Sequence, residues 1–116
     1  MHPPTIFLDI DGTIFKYRNW IDLYKEHAEL LPGVTEKMEE FENKGCRIIL
    51  TTGRKESMRG QTEKELRDHG IYYDVLLMGL GGGTRYLIND KKPDGRLGAF
   101  AINVERNGGL EGVNIC

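Results

Sequence analysis

Two aspartates placed one residue apart are the first feature of this sequence that could do chemistry. Asp9 and Asp11 follow the apolar run 5–8, which has the composition of a β-strand. Side chains alternate along a strand with a period of two, so a regular continuation would put both carboxylates on one side, a few ångströms apart. Like charges at that distance are costly unless a cation lies between them. The pair indicates a metal and phosphate site, although a strand running into an ordinary Asp-Gly turn at Gly12 has the same pattern.

Polar residues also follow two later apolar runs. Thr52 ends the run 46–52, and Asp90 with Lys91 follows the run 86–88. Parallel strands place their carboxyl ends at one edge of a sheet, where open α/β sheets bind ligands. We therefore expect these three strand ends to form one pocket.

The elements that must position this pocket follow from the apolar periodicity. The order of elements predicts an α/β domain with a mainly parallel, five-stranded sheet. Strands are predicted over residues 5–8, 46–52, 74–78, 86–88 and 98–104, and helices over 19–31, 33–44 and 57–69. The glycine-rich stretch 79–84 is predicted to be a flexible connection, and the tail 105–116 is predicted to wrap around the domain or fray. The third and fourth strands have no helix between them, although parallel neighbours usually need a crossover of about a dozen residues.

Composition and charge narrow the class of protein. A chain of 116 residues with 39% hydrophobic and 29% charged residues fits one small globular domain, 1–116. A net charge of -2 gives no support for a nucleic-acid partner. No apolar stretch approaches the roughly 20 residues that span a bilayer, and the amino terminus lacks a signal-peptide pattern, so a cytoplasmic location away from membranes is expected. Cys46 and Cys116 form no recognisable framework.

The ordered combination of motifs resembles the haloacid dehalogenase-like (HAD-like) phosphohydrolases. The resemblance rests on Asp-Ile-Asp-Gly-Thr at 9–13, on Thr52, on Asn-Asp-x-x-x-Asp at 89–94, and on the helix start Leu-Pro-Gly-Val at 31–34. It covers residues 5 to about 104. It implies a three-layer, Rossmann-like fold and a small member without a cap domain, similar to capsule and polysaccharide biosynthesis phosphatases.

The resemblance also implies roles that agree with the chemistry of the residues. Asp9 would be the nucleophile that forms an aspartyl-phosphate, and Asp11 would protonate the leaving group and later activate water. Thr52 would donate its hydroxyl to the phosphoryl group. Mg²⁺, which prefers oxygen ligands, would be held by Asp9, Asp90 and the backbone carbonyl of Asp11, with Asp94 acting through water.

One family motif, a lysine that neutralises the phosphoryl group, is missing from its usual place after the third strand. Residues 80–81 are Leu-Gly there. Lys91 and Arg85 are the candidates to replace it, and Lys91 is preferred. Gly53 and Arg54 follow the threonine motif and are candidates to contact the substrate, although a surface charge at a strand end is an equally good reading of Arg54.

The short segments between the motifs leave no room for a cap. Water would then be excluded by a large substrate, by a neighbouring subunit in a homo-oligomer, or by a mobile flap at 16–18. Trp20 and His27 lie on the apolar stripe of the first predicted helix and are interpreted as packing residues.

The expected activity is Mg²⁺-dependent hydrolysis of a small phosphorylated substrate. The resemblance favours a sugar phosphate or a related phosphometabolite. A polynucleotide 3′-phosphatase and a non-catalytic phosphate- or metal-binding module are the alternatives.

Overall fold

A three-stranded parallel sheet forms the centre of the computed structural model, which describes residues 2–115; Cys116, the last residue of the predicted tail, lies outside this range. The strands are β1 (Thr5–Asp9), β2 (Arg47–Thr51) and β3 (Val75–Leu77), in the order β1-β2-β3. In the register, Asp9 lies opposite Thr51, and Thr51 lies opposite Leu77. The carboxyl ends of all three strands therefore reach one edge of the sheet. Of the three strand ends predicted to form the pocket, those before Asp11 and at Thr52 lie at this edge, whereas no strand directly precedes Asp90.

Two helices of ordinary length confirm the predicted helical periodicity. In α2 (Val34–Asn43), the side chains of Val34, Met38 and Phe41 are buried. A 3₁₀ turn (Glu56–Met58) leads into α3 (Arg59–Asp68), which buries Leu66. Both helices contribute side chains to the core that contains the centre of β2. Within residues 2–115, no helix has the length and apolar character needed to cross a membrane.

The first predicted helix is much shorter than expected. It comprises only α1 (Asp22–Lys25). The side-chain oxygen of Asn19 accepts hydrogen bonds from the backbone N–H groups of Ile21 and Asp22. After this turn the chain becomes extended and pairs with the segment that follows β1: the Lys16 N–H donates to the Glu29 carbonyl oxygen. Backbone pairing thus ends the helix. Trp20 is 73% exposed and His27 is also exposed, so their interpretation as packing residues is wrong.

The fourth and fifth predicted strands are not formed, so the prediction of five strands is wrong for this part of the chain. Residues 84–103, here called the arm, contain no strand, and the run Tyr86–Ile88 is exposed. A turn lies within the arm, where the Lys92 N–H donates to the Arg96 carbonyl oxygen at 2.8 Å. Only residues 78–85 separate β3 from this run, which is fewer than the dozen or so that a parallel crossover usually requires.

The described part of the tail, residues 105–115, wraps onto the domain. Leu110 and Val113 are buried in the core, and the Leu110 N–H donates to the Pro32 carbonyl oxygen at 3.0 Å. The Asn107 N–H donates to the carbonyl oxygen of Gly12, directly beside the aspartate pair. The chain therefore returns from the arm to the edge of the sheet that carries the predicted site.

The arm is expected to be the first part of the folded protein that trypsin cleaves. Proteases cut exposed segments without regular structure, and Arg85, Lys91 and Arg96 are all exposed. Arg18 and Arg54 are buried and serve as internal controls. Mass spectrometry of early fragments should find cleavage in the arm, and early cleavage at Arg18 or Arg54 would contradict this expectation.

Candidate active site

Asp9 ends β1 with a solvent-exposed side chain. The burial pattern of β1 alternates, so Ile6 and Leu8 pack into the core while Asp9 lies on the exposed side. The Thr13 hydroxyl donates a long hydrogen bond of 3.4 Å to Asp9 Oδ2. A nucleophile must be reachable by its substrate, and Asp9 meets this requirement.

The surroundings of Asp9 raise the pKa of its carboxyl group. Partial burial is the largest cause, and the negative charge of Asp11 acts in the same direction. The backbone N–H of Ile10, the charge of Arg85 and the Thr13 hydroxyl act in the opposite direction without cancelling the shift. The ionised form of Asp9 is therefore less stable than in water, which favours the binding of a cation beside it.

A tight turn after β1 sets the position of Asp11. Gly12 has a φ of 90°, in the region that favours glycine, and the N–H groups of residues 13–15 all donate to the Ile10 carbonyl oxygen. This turn separates Asp11 from the regular strand that the sequence interpretation assumed. The Asp11 side chain is still close enough to Asp9 for its charge to act on that carboxyl group.

Both carboxylate oxygens of Asp11 are bound by Arg54. Arg54 Nε lies 2.8 Å from Asp11 Oδ2, and Arg54 Nη2 lies 2.8 Å from Asp11 Oδ1. Only 1% of the Arg54 side chain is exposed, compared with 16% for Asp11. The guanidinium group therefore points into the protein toward Asp11. The two sequence interpretations of Arg54, as a substrate contact or as a surface charge, did not include this partner.

Thr52 follows β2 at the same edge of the sheet and is buried. Its N–H donates to the Leu77 carbonyl oxygen, which fixes the backbone beside β3. Its side-chain oxygen accepts a hydrogen bond of 3.1 Å from the Arg54 N–H. A hydroxyl group that accepts in this way keeps its own proton for donation, so the predicted role as a donor remains chemically open.

Gly53 and Arg85 border the same edge. A side chain on Gly53 would collide with the backbone carbonyl of Gly81, so the close approach of these two segments requires glycine there. Arg85 donates hydrogen bonds to the carbonyl oxygens of Gly81 and Gly83, at 2.9 and 2.7 Å. These bonds hold the guanidinium group where its positive charge acts on Asp9.

Asp90, Lys91 and Asp94 lie on the exposed arm. Asp94 pairs with Arg96 at 2.7 Å, within the turn of the arm. Among residues 2–115, no group of three or more acidic, histidine or cysteine side chains is gathered closely enough to hold a metal ion. The predicted set of Mg²⁺ ligands, in which Asp90 and Asp94 join Asp9, is therefore not assembled, and the residues as placed do not fit the ion.

Comparison with known proteins decides the family. The family profile described as haloacid dehalogenase-like hydrolase matches residues 6–76, more than half of the chain. The chain belongs to the haloacid dehalogenase-like hydrolases. A search of curated proteins finds no match. The sequence resemblance to the family and the α/β fold class with a parallel sheet are thus confirmed.

Solved structures agree with this assignment. A chain of the "Pnkp1/Rnl/Hen1 complex" is 26% identical over 72% of this chain and 30% of its own length, with a TM-score of 0.60. A chain of the "Pnkp1/Rnl/Hen1 RNA repair complex" is 28% identical over 66% of this chain and 25% of its own, with a TM-score of 0.57. A protein from Vibrio cholerae shares the fold at 20% identity, covering 74% of this chain and 79% of its own, with a TM-score of 0.53. The HAD-like chain thus spans less than a third of the length of the RNA repair proteins it matches.

The matched range divides the candidate residues of this HAD-like hydrolase into two groups. Asp9, Asp11, Thr52 and Arg54 lie inside residues 6–76. The candidates on the arm, Arg85 included, lie outside it. The part of the site that the sheet assembles is therefore also the part that the family comparison covers.

Two residues of the site region were missed by the sequence interpretation. Glu65 accepts hydrogen bonds from both Arg54 and Arg18, and Arg18 is buried. The predicted mobile flap at 16–18 is therefore anchored to α3 through Arg18. One sequence signal could have indicated that Glu65 lies near the protein interior. It is next to Leu66 and three residues after Thr62, both of which lie on the buried face of the polar helix α3.

Proposed function

We propose that this HAD-like hydrolase is a phosphomonoesterase that works through an aspartyl-phosphate on Asp9. The observation that carries the proposal is the exposed Asp9 carboxylate at the carboxyl end of β1, inside the range matched by the family. The buried Thr52 at the neighbouring strand end and the charge of Arg85 support it. Phosphoryl transfer needs a nucleophile and positive or hydrogen-bonding groups for the phosphoryl oxygens, and these three residues supply them.

The reaction proceeds in two steps. An Asp9 oxygen attacks phosphorus, the bond from phosphorus to the ester oxygen breaks, and Asp11 gives its proton to that leaving oxygen. Asp11 then takes a proton from water, whose oxygen attacks the aspartyl-phosphate and releases inorganic phosphate. Thr52 donates to a phosphoryl oxygen, and Arg85 offsets the negative charge; among the two candidate cations, the charge next to Asp9 favours Arg85 over Lys91.

A requirement for Mg²⁺ is part of the proposal, because HAD-like hydrolases generally use this ion. The carboxylates of Asp90 and Asp94 are the further candidate ligands in the sequence. As placed on the arm, they do not complete a site. The requirement is therefore proposed from the family and tested directly below.

Two substrate classes are compared. A sugar phosphate or related phosphometabolite is the proposed class, and a polynucleotide 3′-phosphate is the second candidate. The second is favoured by a specific observation: two structural neighbours, at 26% and 28% identity, belong to an RNA repair complex. Exposed cations on the arm, at Arg85, Lys91, Lys92 and Arg96, would suit either kind of phosphate.

A substrate panel tests the proposal. The purified protein should release phosphate from 4-nitrophenyl phosphate with added Mg²⁺, and excess EDTA should remove the activity. Sugar phosphates should then have a higher kcat/KM than oligonucleotides carrying a 3′-phosphate. The reverse order, with little hydrolysis of matched 5′-phosphate oligonucleotides, would favour the second candidate. Absence of hydrolysis across the panel by folded protein would contradict both and favour a binding module.

A further inference from the structure

A continuous chain of buried ion pairs leads from the segment after β1 to Asp11. Arg18 Nη2 lies 2.9 Å from Glu65 Oε1, and Arg54 Nη1 lies 2.9 Å from the same oxygen. Arg54 in turn binds both oxygens of Asp11. The side chains of the two arginines, Arg18 and Arg54, are only 3% and 1% exposed. Those of the two carboxylates, Glu65 and Asp11, are 13% and 16% exposed. Water therefore screens these charges little.

Stability alone is a weak reason for this chain of charges. Burying ionised groups carries a large desolvation cost, and apolar replacements of buried ion pairs are often neutral or stabilising. Arg18 Nε is also buried without a hydrogen-bond partner among the described residues, which adds a further cost. The network ends on the Asp11 carboxylate, whose charge acts on Asp9, so its position points to a role at the site.

Arg54 is held independently of Asp11. Its Nη1 donates to Glu65 at 2.9 Å and to the Thr62 hydroxyl at 3.0 Å, while Nε and Nη2 are left for Asp11. The guanidinium group would therefore stay in place when Asp11 gains or loses a proton. A carboxylate has about four lone-pair sites, so the two bonds from Arg54 leave each Asp11 oxygen able to accept from water.

We propose that Arg54 is a positioning residue that fixes the Asp11 carboxylate for proton transfer, and that Glu65, steadied by Arg18, fixes Arg54. The inference rests on the proposed function, in which Asp11 carries the proton. The two bonds to Asp11 come from a planar fork that lysine cannot reproduce. Arg54→Lys keeps the positive charge but loses the orientation of Asp11.

The dependence of rate on the leaving group separates positioning from a purely structural role. An activated aryl phosphate needs little protonation of its leaving oxygen, whereas an alkyl phosphate depends on the general acid. General acid-base catalysis contributes roughly 10²–10⁴-fold. In Arg54→Lys, kcat/KM should fall by about 10²-fold for the alkyl ester but only a few-fold for the aryl ester. Arg67→Lys, an exposed site on α3, is the matched control and should change neither.

A second variant and a spectroscopic readout cover the case in which Arg54→Lys folds poorly. Thr62→Val removes one acceptor of Arg54 and leaves every charge in place, so a smaller change in the same direction is expected. NMR of the Arg54 Nε–H in the wild-type protein should show a signal protected from exchange, and Asp11→Asn should shift it or expose it.

Three outcomes distinguish failure of this role from failure of the proposed function. In the first, the wild type is active, but Arg54→Lys and Thr62→Val lower kcat/KM equally for the aryl and the alkyl ester. This result overturns the positioning role and leaves the proposed function standing. An active wild type without a protected Nε–H signal also overturns the positioning role. A folded wild type that hydrolyses no ester, with the protected signal present, overturns the proposed function and with it the role of Arg54, while the pairing itself stands.

Discussion

Asp9→Asn is expected to lower kcat/KM for a phosphomonoester by on the order of 10⁴-fold or more, as when a covalent nucleophile is removed from a hydrolase. An amide oxygen is a poor nucleophile and cannot form an acyl phosphate that water then hydrolyses. Thr52, Asp11 and Arg85 would remain, so a small residual rate is allowed. Steady-state hydrolysis of 4-nitrophenyl phosphate measures the loss, and mass spectrometry of acid-quenched wild type should detect the phosphorylated Asp9.

The same variant should be at least as stable as the wild-type protein at pH 7. Burial and the charge of Asp11 raise the pKa of Asp9 above its unfolded value, so ionisation of Asp9 opposes folding. This penalty is absent below both pKa values, develops as the pH rises through the unfolded value near about 3.9, and is complete above the folded value. The amide that replaces the carboxyl group does not ionise, so urea unfolding at pH 7 should show an equal or higher midpoint for Asp9→Asn.

The exposed Asp68 on α3 provides the matched control, because Asp68→Asn makes the same chemical change at a residue outside the candidate site. Its activity should equal that of the wild type. Hydrolysis retained by Asp9→Asn would remove Asp9 from the role of nucleophile. A loss of stability in that variant at pH 7 would instead show that the carboxylate makes a favourable structural contact.

The sequence predicts the sheet-forming strands well because their signals are local. Continuous or alternating apolar runs define β1, β2 and β3, and the apolar stripe of α2 is spaced at helical intervals. The arm has an equally good apolar run at 86–88. A strand also needs the edge of a neighbouring strand to pair with, and its connection must be long enough to reach that edge. The short connection 78–85 does not bring the run 86–88 to such an edge in the structure. Tertiary pairing likewise ended the first predicted helix early, when residues 29 and 31 paired with the segment after β1.

The site could be predicted only as far as it depends on strand ends. Asp9 and Thr52 lie where the parallel sheet requires, at one edge. The pairing of Arg54 with Asp11 joins residues 43 positions apart, and that of Arg18 with Glu65 joins residues 47 apart. Such contacts depend on helix orientation and side-chain direction, which no local pattern encodes. The sequence therefore identified Arg54 as a candidate, but no local pattern indicated that its guanidinium group binds Asp11.

Glu65→Gln is expected to destabilise the fold by about 3–5 kcal/mol at pH 7, the usual cost of removing one partner from a buried ion pair. The substitution leaves Arg18 and Arg54 buried with their positive charges close together and no anion between them. Gln61, which also donates to Glu65, would face an amide that can still accept one hydrogen bond. Urea unfolding followed by circular dichroism should show a lower midpoint with an unchanged slope.

The pH dependence of that difference identifies the charge as its cause. Burial acts to raise the pKa of Glu65, but hydrogen bonds from Arg18, Gln61 and Arg54 outweigh it and lower the pKa below its usual value. A carboxyl group with a lowered folded pKa stabilises the protein above its unfolded value of about 4.3, and this stabilisation is lost as the pH falls through the folded value. The gap between wild type and Glu65→Gln should therefore be full at pH 7 and should narrow steadily below about pH 4.3.

Glu63→Gln is the matched control on the same helix, because Glu63 is 41% exposed and lies 3.7 Å from Arg59 across one helical turn. An exposed pair of this kind contributes about 0–1 kcal/mol, so this variant should unfold almost like the wild type at every pH. A gap for Glu65→Gln that stayed constant down to acid pH would mean that packing, and not charge, is lost. Equal stability of the two variants at pH 7 would show that Glu65 does not hold the two arginines, and that Arg54 reaches Asp11 without its help.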